Sequence, residues 1–330
     1  MTRSTEERLA ARGLELRPAT LDDAAFVADM FTELFPDDPE DPALMRHWWT
    51  VTHPPGDVVE RFVVLRGQSP VGFAYQQHVA WEKMPERYGR VGGEVARASR
   101  TPEHLDAVFE LMERRSGADG ARIFTTWSWE YDRTRIDALA ARGYREERRE
   151  RFWELDLAAN RERLLAMTES SRTRMREQGV RILTLDQDPD AEKYRKVWRM
   201  SEEAEQDVPT TVPHVPTPFE QFMQWWASPS LREDRIWIAR EGDEVVGVSM
   251  LSYPPVRGVV STDWTGTARS VRGRGVARAL KCETVAQAIA LGVPKVRTDN
   301  DGENVPILHI NATMGYVRRP DMIQLLKEAA

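Results

Sequence analysis

The stretch Arg272-Gly273-Arg274-Gly275-Val276-Ala277 has the residue types of an anion grip. It follows a run rich in β-branched residues, Val259 to Thr267. It precedes a helical pattern that places Ala279, Cys282, Ala286 and Ile289 on one stripe and stops at Gly292 and Pro294. A glycine-bearing turn therefore joins a strand to a helix start. The first N–H groups of a helix have no internal partner and carry the positive end of its dipole. Two glycines let a large anion approach the backbone, and two arginines add formal charge. These are the requirements for gripping a diphosphate. A Gly-x-Gly pair alone is a weak signal, and a turn that merely needs glycine also explains it. The dinucleotide fingerprint would need a third glycine where Arg278 stands, and a P-loop would need Gly-Lys-Ser or Gly-Lys-Thr.

Other chemistries find less support. Cys282 is the one cysteine, so no internal disulfide and no cysteine metal cluster can form, and its place on the apolar stripe suits a small core residue. The six histidines show no metal spacing such as His-Glu-x-x-His, so no metal is expected. The formal net charge of -7 speaks against a nucleic-acid or membrane-surface partner. No apolar run approaches the ~18 residues of a membrane span, and the charged start Met1 to Gly13 is not a signal peptide. A reducing, cytoplasmic setting is the simple expectation.

The elements that must position the grip recur. The first half opens with a short strand, Leu14 to Arg17, and Asp22-Asp23 ahead of an amphipathic helix from Ala24 to Leu34. The second opens with Val180 to Leu183 and Asp188-Pro189-Asp190 ahead of a helix from about Ala191 to Glu205. Each half then has a hairpin, Arg61–Arg66 with Val71–Val79 and Arg235–Arg240 with Val245–Leu251. The second strand carries Val71-Gly72 in one and Val246-Gly247 in the other. Arg142-Gly143-Tyr144 matches Met314-Gly315-Tyr316. Four matches in order indicate two copies of one fold. Hairpins mixed with one crossover helix per copy give an α+β class, each copy a mixed, mostly antiparallel sheet flanked by helices. The expected division is a first copy over 1–157, a helical linker over 158–179 and a second copy over 180–330. The prolines at 209, 213, 216 and 218 make a stiff loop.

Arg-Gly-x-Gly-x-Ala after a strand, followed by the strand Lys295 to Thr298, then Asn300, Asn304, a short helix, Gly315 and Tyr316, resembles the acetyl-CoA-binding region of GNAT acetyltransferases. The resemblance spans about Val180 to Ile323 and extends to tandem GNAT proteins with one degenerate copy. It implies an N-acetyltransferase that moves acetyl from acetyl-CoA, as cosubstrate, to a small-molecule amine by direct attack in a ternary complex. It implies that the amides of Arg272, Gly273, Arg274, Gly275, Val276 and Ala277 hold the pyrophosphate. The edge of Thr265, Gly266 and Thr267 would pair with the pantetheine amides, and Asn304 would bond the pantetheine or thioester region.

The tyrosine that many members carry seven residues after the asparagine is replaced here by Asn311, which cannot deliver a proton; Tyr316 and Tyr253 are possible substitutes. Asp263 shares a strand face with Thr265 and Thr267 by period-2 alternation. It lies about 13 Å upstream of Thr267 at roughly 3.3 Å per residue, and is the candidate catalytic base. The counterpart of the grip in the first copy, Glu94 to Pro102, has no glycine and loses an N–H at Pro102. The first copy is therefore expected not to bind CoA. A non-catalytic acyl-CoA-binding or regulatory protein is the alternative, which the missing tyrosine favours.

Overall fold

The computed structural model describes residues 5–329; residues 1–4, where the charged start begins, lie outside the described residues. In chain order the elements are α1 (Thr5–Ala11), β1 (Glu15–Pro18), α2 (Ala24–Leu34), α3 (Pro42–Thr50), β2 (Val58–Arg66), β3 (Ser69–His78), β4 (Tyr88–Val95), α4 (Pro102–Ala118), β5 (Ile123–Trp129), α5 (Arg133–Ala141) and β6 (Arg145–Asp156). They continue with α6 (Arg161–Glu177), β7 (Arg181–Thr184), α7 (Lys193–Glu205), α8 (Phe219–Trp226), β8 (Ile236–Glu241), β9 (Glu244–Ser252), β10 (Ser261–Thr267), α9 (Val276–Ala290), β11 (Lys295–Asp301), α10 (Val305–Met314), β12 (Val317–Arg318) and β13 (Met322–Glu328). The fold is α+β, mostly antiparallel strands flanked by helices.

The chain forms two compact units. The first holds residues 1–150, 211–215 and 320–330, the second 151–210 and 216–319. This division differs from the expected one in its details. The last strand, β13, belongs to the first unit, where it lies between β5 and the first part of β6, antiparallel to both. The linker helix α6 belongs to the second unit. Sequence periodicity marks a strand but not its neighbours, so strand exchange of this kind is invisible to it.

In the first unit the strands run β1-β2-β3-β4-β5-β13-β6. Only β4 and β5 are parallel, and they pair at Tyr88–Arg90 with Ile123–Thr125. Its core joins Leu105, Val108, Phe109 and Met112 of α4 to Val64, Ala74 and Val91 of the sheet. In the second unit the order is the remainder of β6, then β11-β10-β9-β8-β7. Here β10 and β11 are the parallel pair, and they pair at Ser261 with Arg297.

The repeated Val-Gly signature has a packing cause. A Cβ on Gly247 would come within 2.8 Å of Leu280 on α9, and one on Gly72 within 2.5 Å of the Glu94 carbonyl. The Asp-Pro-Asp turn works harder than a helix-start signal. Buried Arg240 holds Asp188 (Nε to Oδ2 2.9 Å) and Asp190 (2.8 Å) together, and α7 begins only at Lys193. Helix α9 departs from a single apolar stripe, since Lys281, Glu283 and Thr284 are buried as well as Leu280 and Cys282. The cause is a second covering layer. On α6, Thr168 donates to the Cys282 carbonyl (3.2 Å) and Arg172 pairs with Glu283 (2.6 Å).

Candidate active site

The junction between β10 and α9 is where the amides of the second unit open. Gly273 has φ +74° and Gly275 φ +91°, left-handed values that L side chains rarely adopt. Alternation of left- and right-handed residues turns successive N–H groups to one side. Among the described residues no acceptor receives the N–H of Gly273, Gly275, Val276, Ala277 or Arg278. That of Arg274 goes to the Val271 carbonyl (3.3 Å). A Cβ on Gly273 would meet open space. The helix behind adds its positive end.

The arginines around this nest are unequally free. Arg272 is paired with Asp207 (2.5 Å), which Arg269 also holds (2.7 Å). Arg269 and Arg272 keep the Asp207 carboxyl well below the usual range. Arg274 is paired with Glu241 (2.8 Å) and bonds Gln178 (3.2 Å). Arg174, on α6, has an exposed side chain with no ion-pair partner among the described residues. Its guanidinium carbon lies 3.5 Å from where a Cβ of Gly275 would stand. The residues nearest in sequence suggest Arg272 and Arg274 for the charge; an uncommitted cation is Arg174, about 100 positions away in sequence.

From Thr262 onward β10 is paired only on its β9 side, with Thr265 opposite Ser249 and Thr267 opposite Gly247. Beyond Ser261 it parts from β11. Among the described residues the outer edge of Thr265, Gly266 and Thr267 is thus without a strand partner, as an added extended ligand would require. The Thr265 hydroxyl is engaged with Ser249 (2.8 Å), and the Trp264 ring fills the space where a Cβ on Gly266 would sit (3.0 Å). Asn304 stands at the start of α10, its side chain half-buried and not used as a cap.

Asp263 falls at a register shift in β10, between Thr262 and Trp264. A bulge re-aims a side chain, so simple alternation does not fix its direction. Its Oδ2 is buried without a hydrogen-bond partner. Burial, and then the charge of Asp299 on β11, push this carboxyl up to about 6. A carboxylate that titrates near neutrality is suited to general-base work. Asn311 is sealed, donating to Asn300 (2.7 Å). Burial pushes Tyr253 up to about 12 and Tyr316 upward as well, so both phenols hold their protons at neutral pH. Sequence reading missed Lys281, 2 % exposed beside Thr262, because a lysine on a helix reads as a solvated residue unless both flanking layers are known.

The first unit has the same turn with a different content. Residues 96–102 contain no left-handed residue. The Thr101 hydroxyl caps the His104 N–H (3.2 Å), and the Glu103 carboxylate accepts from its own N–H and the Thr101 hydroxyl, which lower it. Pro102 has no N–H. Beyond the paired stretch of β4 and β5, Arg135 of α5 donates to the carbonyls of Gly93 on β4 and Trp127 on β5 (3.2 Å), to Thr126 (3.2 Å) and to Glu94 (3.2 Å). Arg100 ties Glu94 (2.8 Å) to Asp132 (2.6 Å). Where the second unit parts its strands, the first bridges them with a guanidinium.

Residues 194–309 match the sequence profile of the Acetyltransferase (GNAT) family. No curated protein sequence matches the chain. Among solved structures, a tandem GNAT protein from the clavulanic acid biosynthesis pathway superposes with a TM-score of 0.73 at 16% identity, covering 96% of this chain and 99% of that one. A GCN5-related N-acetyltransferase from Sphaerobacter thermophilus gives 0.66 at 16% identity over 96% and 95% of the two chains. A putative acetyltransferase from Pyrococcus horikoshii gives 0.56 at 12% identity over 96% and 90%. Such identities speak for the fold. Among the described residues no helix is long and apolar enough to cross a membrane.

Proposed function

We infer the function from one premise: residues 194–309 in the second unit match the Acetyltransferase (GNAT) family, in a chain with the fold of a tandem GNAT protein. We propose that it is an acetyl-CoA-dependent N-acetyltransferase with a small amine as acceptor, a single transfer site in the second unit, and a first unit that does not bind CoA. The observation that carries this reading is the set of unclaimed amides at Gly273, Gly275, Val276 and Ala277, with Arg174 above them. They suit a diphosphate, and the unpaired edge of Thr265 to Thr267 suits the pantetheine amides that follow it.

In the proposed reaction the acceptor reaches the slot as an ammonium. Asp263, ionised above about pH 6, takes its proton through water. The neutral nitrogen attacks the thioester carbonyl, the C–S bond breaks, CoA leaves as thiolate, and the proton that the new amide nitrogen sheds passes to water or to that thiolate. No acid is required of Asn311, because a thiolate is a tolerable leaving group near neutral pH. Positioning of two substrates in one site supplies much of the remaining acceleration.

Calorimetric titration with acetyl-CoA, followed by CoA release over a panel of small amines, tests the proposal. One CoA bound per chain and release with at least one amine are expected. The double variant Gly273→Val, Gly275→Val should lose at least about a hundredfold in CoA affinity, ~2.7 kcal/mol, and, because both glycines are left-handed, should also melt at a lower temperature while remaining folded at the assay temperature. Unchanged affinity in that variant sinks the site. Tight binding with no release across the panel favours the alternative that Asn311 suggests, an acyl-CoA-binding regulator.

A further inference from the structure

Lys281 is the buried titratable group that this mechanism leaves unused. It is 2 % exposed between α9 and the sheet, and among the described residues no carboxylate stands within ion-pair reach. Its ammonium makes one long hydrogen bond, 3.5 Å to the Thr262 hydroxyl, and lies 5.3 Å from the Tyr316 ring centre. An apolar residue of the same length would pack there without the desolvation cost that a buried, unpaired ammonium carries. Nearby polar atoms are also unsatisfied: Oδ2 of Asp263, next in sequence to Thr262, and the Tyr316 hydroxyl. Buried unpartnered groups gathered at one bulge ask for a cause other than packing.

Charge supplies one. Asp299, on β11 across the parting strands, acts on both Lys281 and Asp263, raising the proton affinity of each. Of the other charged groups on and around α9, Arg278 acts on Cys282 and the following are paired. Glu283 is paired with Arg172 of α6, Glu241 of β8 with Arg274, and Arg240 with Asp188. Cys282 and Tyr316, both pushed up by burial, are neutral.

We propose that Lys281 is a positioning residue of the transfer site: its ammonium, sealed beneath β10 at the bulge, offsets the Asp299 charge that Asp263 feels and so favours an ionised Asp263 at the slot. The proposal rests on the transferase reading above for its meaning in turnover, but not for its electrostatics. Burial, opposed by Asp299, brings Lys281 down to about 8. Between about pH 6 and about pH 8 the base is therefore ionised while its counter-charge is present. Below that window Asp263 is protonated, and above it the field is lost.

Carbon-13 NMR titration of the Asp263 carboxyl, assigned through Asp263→Asn, reads this in the full chain without any substrate. In Lys281→Met the Asp263 midpoint should rise by about one pH unit, a tenfold change in proton affinity, and Lys281→Arg should restore it. The acid limb of kcat/KM should move by the same amount, with acetyl-CoA affinity unchanged. An unmoved Asp263 midpoint in a folded Lys281→Met protein overturns the proposal. Nitrogen-15 titration of the lysine side chain in the unaltered protein is a second test that no folding failure can spoil: a Lys281 midpoint below about 6, which would strip the ammonium of its charge before Asp263 ionises, also overturns it. A shifted Asp263 midpoint in a protein that acetylates no amine would remove the transferase reading and leave the electrostatic one standing.

Discussion

Both β4 and β10 part from a parallel neighbour and pass through a short 3-10 turn into a long helix, and the two helix starts then treat their amides in opposite ways. Before α9, two left-handed glycines help leave five N–H groups without an acceptor among the described residues. Before α4, Pro102 lacks an N–H, the Thr101 hydroxyl takes that of His104, the Thr101 carbonyl takes that of Leu105, and the Glu103 carboxylate is held low by its own N–H. The parting strands differ likewise. Arg135 bridges β4 and β5, whereas the residue eight before the helix-ending glycine in the second unit, as Arg135 is in the first, is Ile307. A fold duplicated in sequence thus keeps its frame while a handful of side chains decide whether a ligand is admitted. At this turn one copy caps its amides internally, and the other leaves them open to a ligand.

The strongest way to break this contrast is to remove the bridge. In Arg135→Met, Glu94 and the carbonyls of Gly93 and Trp127 lose a buried donor. Breaking such a buried pair costs about 3–5 kcal/mol, so a large fall in urea midpoint is expected. CoA binding should stay at one per chain, since the amides before α4 remain capped. A second binding event in the calorimeter would mean that the guanidinium alone separates the two copies.

A smaller effect sharpens the contrast at the open end. Arg174→Ala should weaken CoA binding about tenfold, ~1.4 kcal/mol, and flatten its salt dependence. Arg272→Ala should do less, because Asp207 already engages that guanidinium. The reverse order would return the diphosphate charge to the residues nearest in sequence.

How much of this could be read from the chain follows from what each feature depends on. The Gly273–Gly275 turn was legible because glycine is required by a local backbone angle. The lack of glycine in residues 94–102 was legible for the same reason, and so was the duplication, since Gly72 and Gly247 mark close approaches that any copy of the fold must keep. Arg174 and Arg135 were not legible: each acts at a distance in sequence, and arginine on a helix carries no periodic signal of its own. Lys281 was hidden by the second covering layer that α6 places on α9. The transfer of β13 to the first unit was hidden because pairing partners are a tertiary choice.

Asp263 allows the comparison to be taken to the level of one carboxyl, because its environment and that of Asp207 move them in opposite directions. Asp263 is raised to about 6, so folding favours its protonated form. The stabilisation this gives is complete below the ordinary carboxylate range and is lost as pH rises through about 6. Asp207 is lowered by Arg269 and Arg272, so its contribution is present at neutral pH and lost on acidification. Asp263→Asn cannot ionise and should therefore gain stability relative to the parent as pH rises from about 4 to about 7, by about 1–3 kcal/mol at most. Asp207→Asn should instead lag the parent by a nearly constant margin over that span, the margin closing only as pH falls below about 4. Melting temperatures of the three proteins from about pH 2 to about pH 7 measure both slopes. Parallel curves for Asp263→Asn and the parent would show that Asp263 is solvated after all, and the base assignment would lose the buried carboxyl on which it is built.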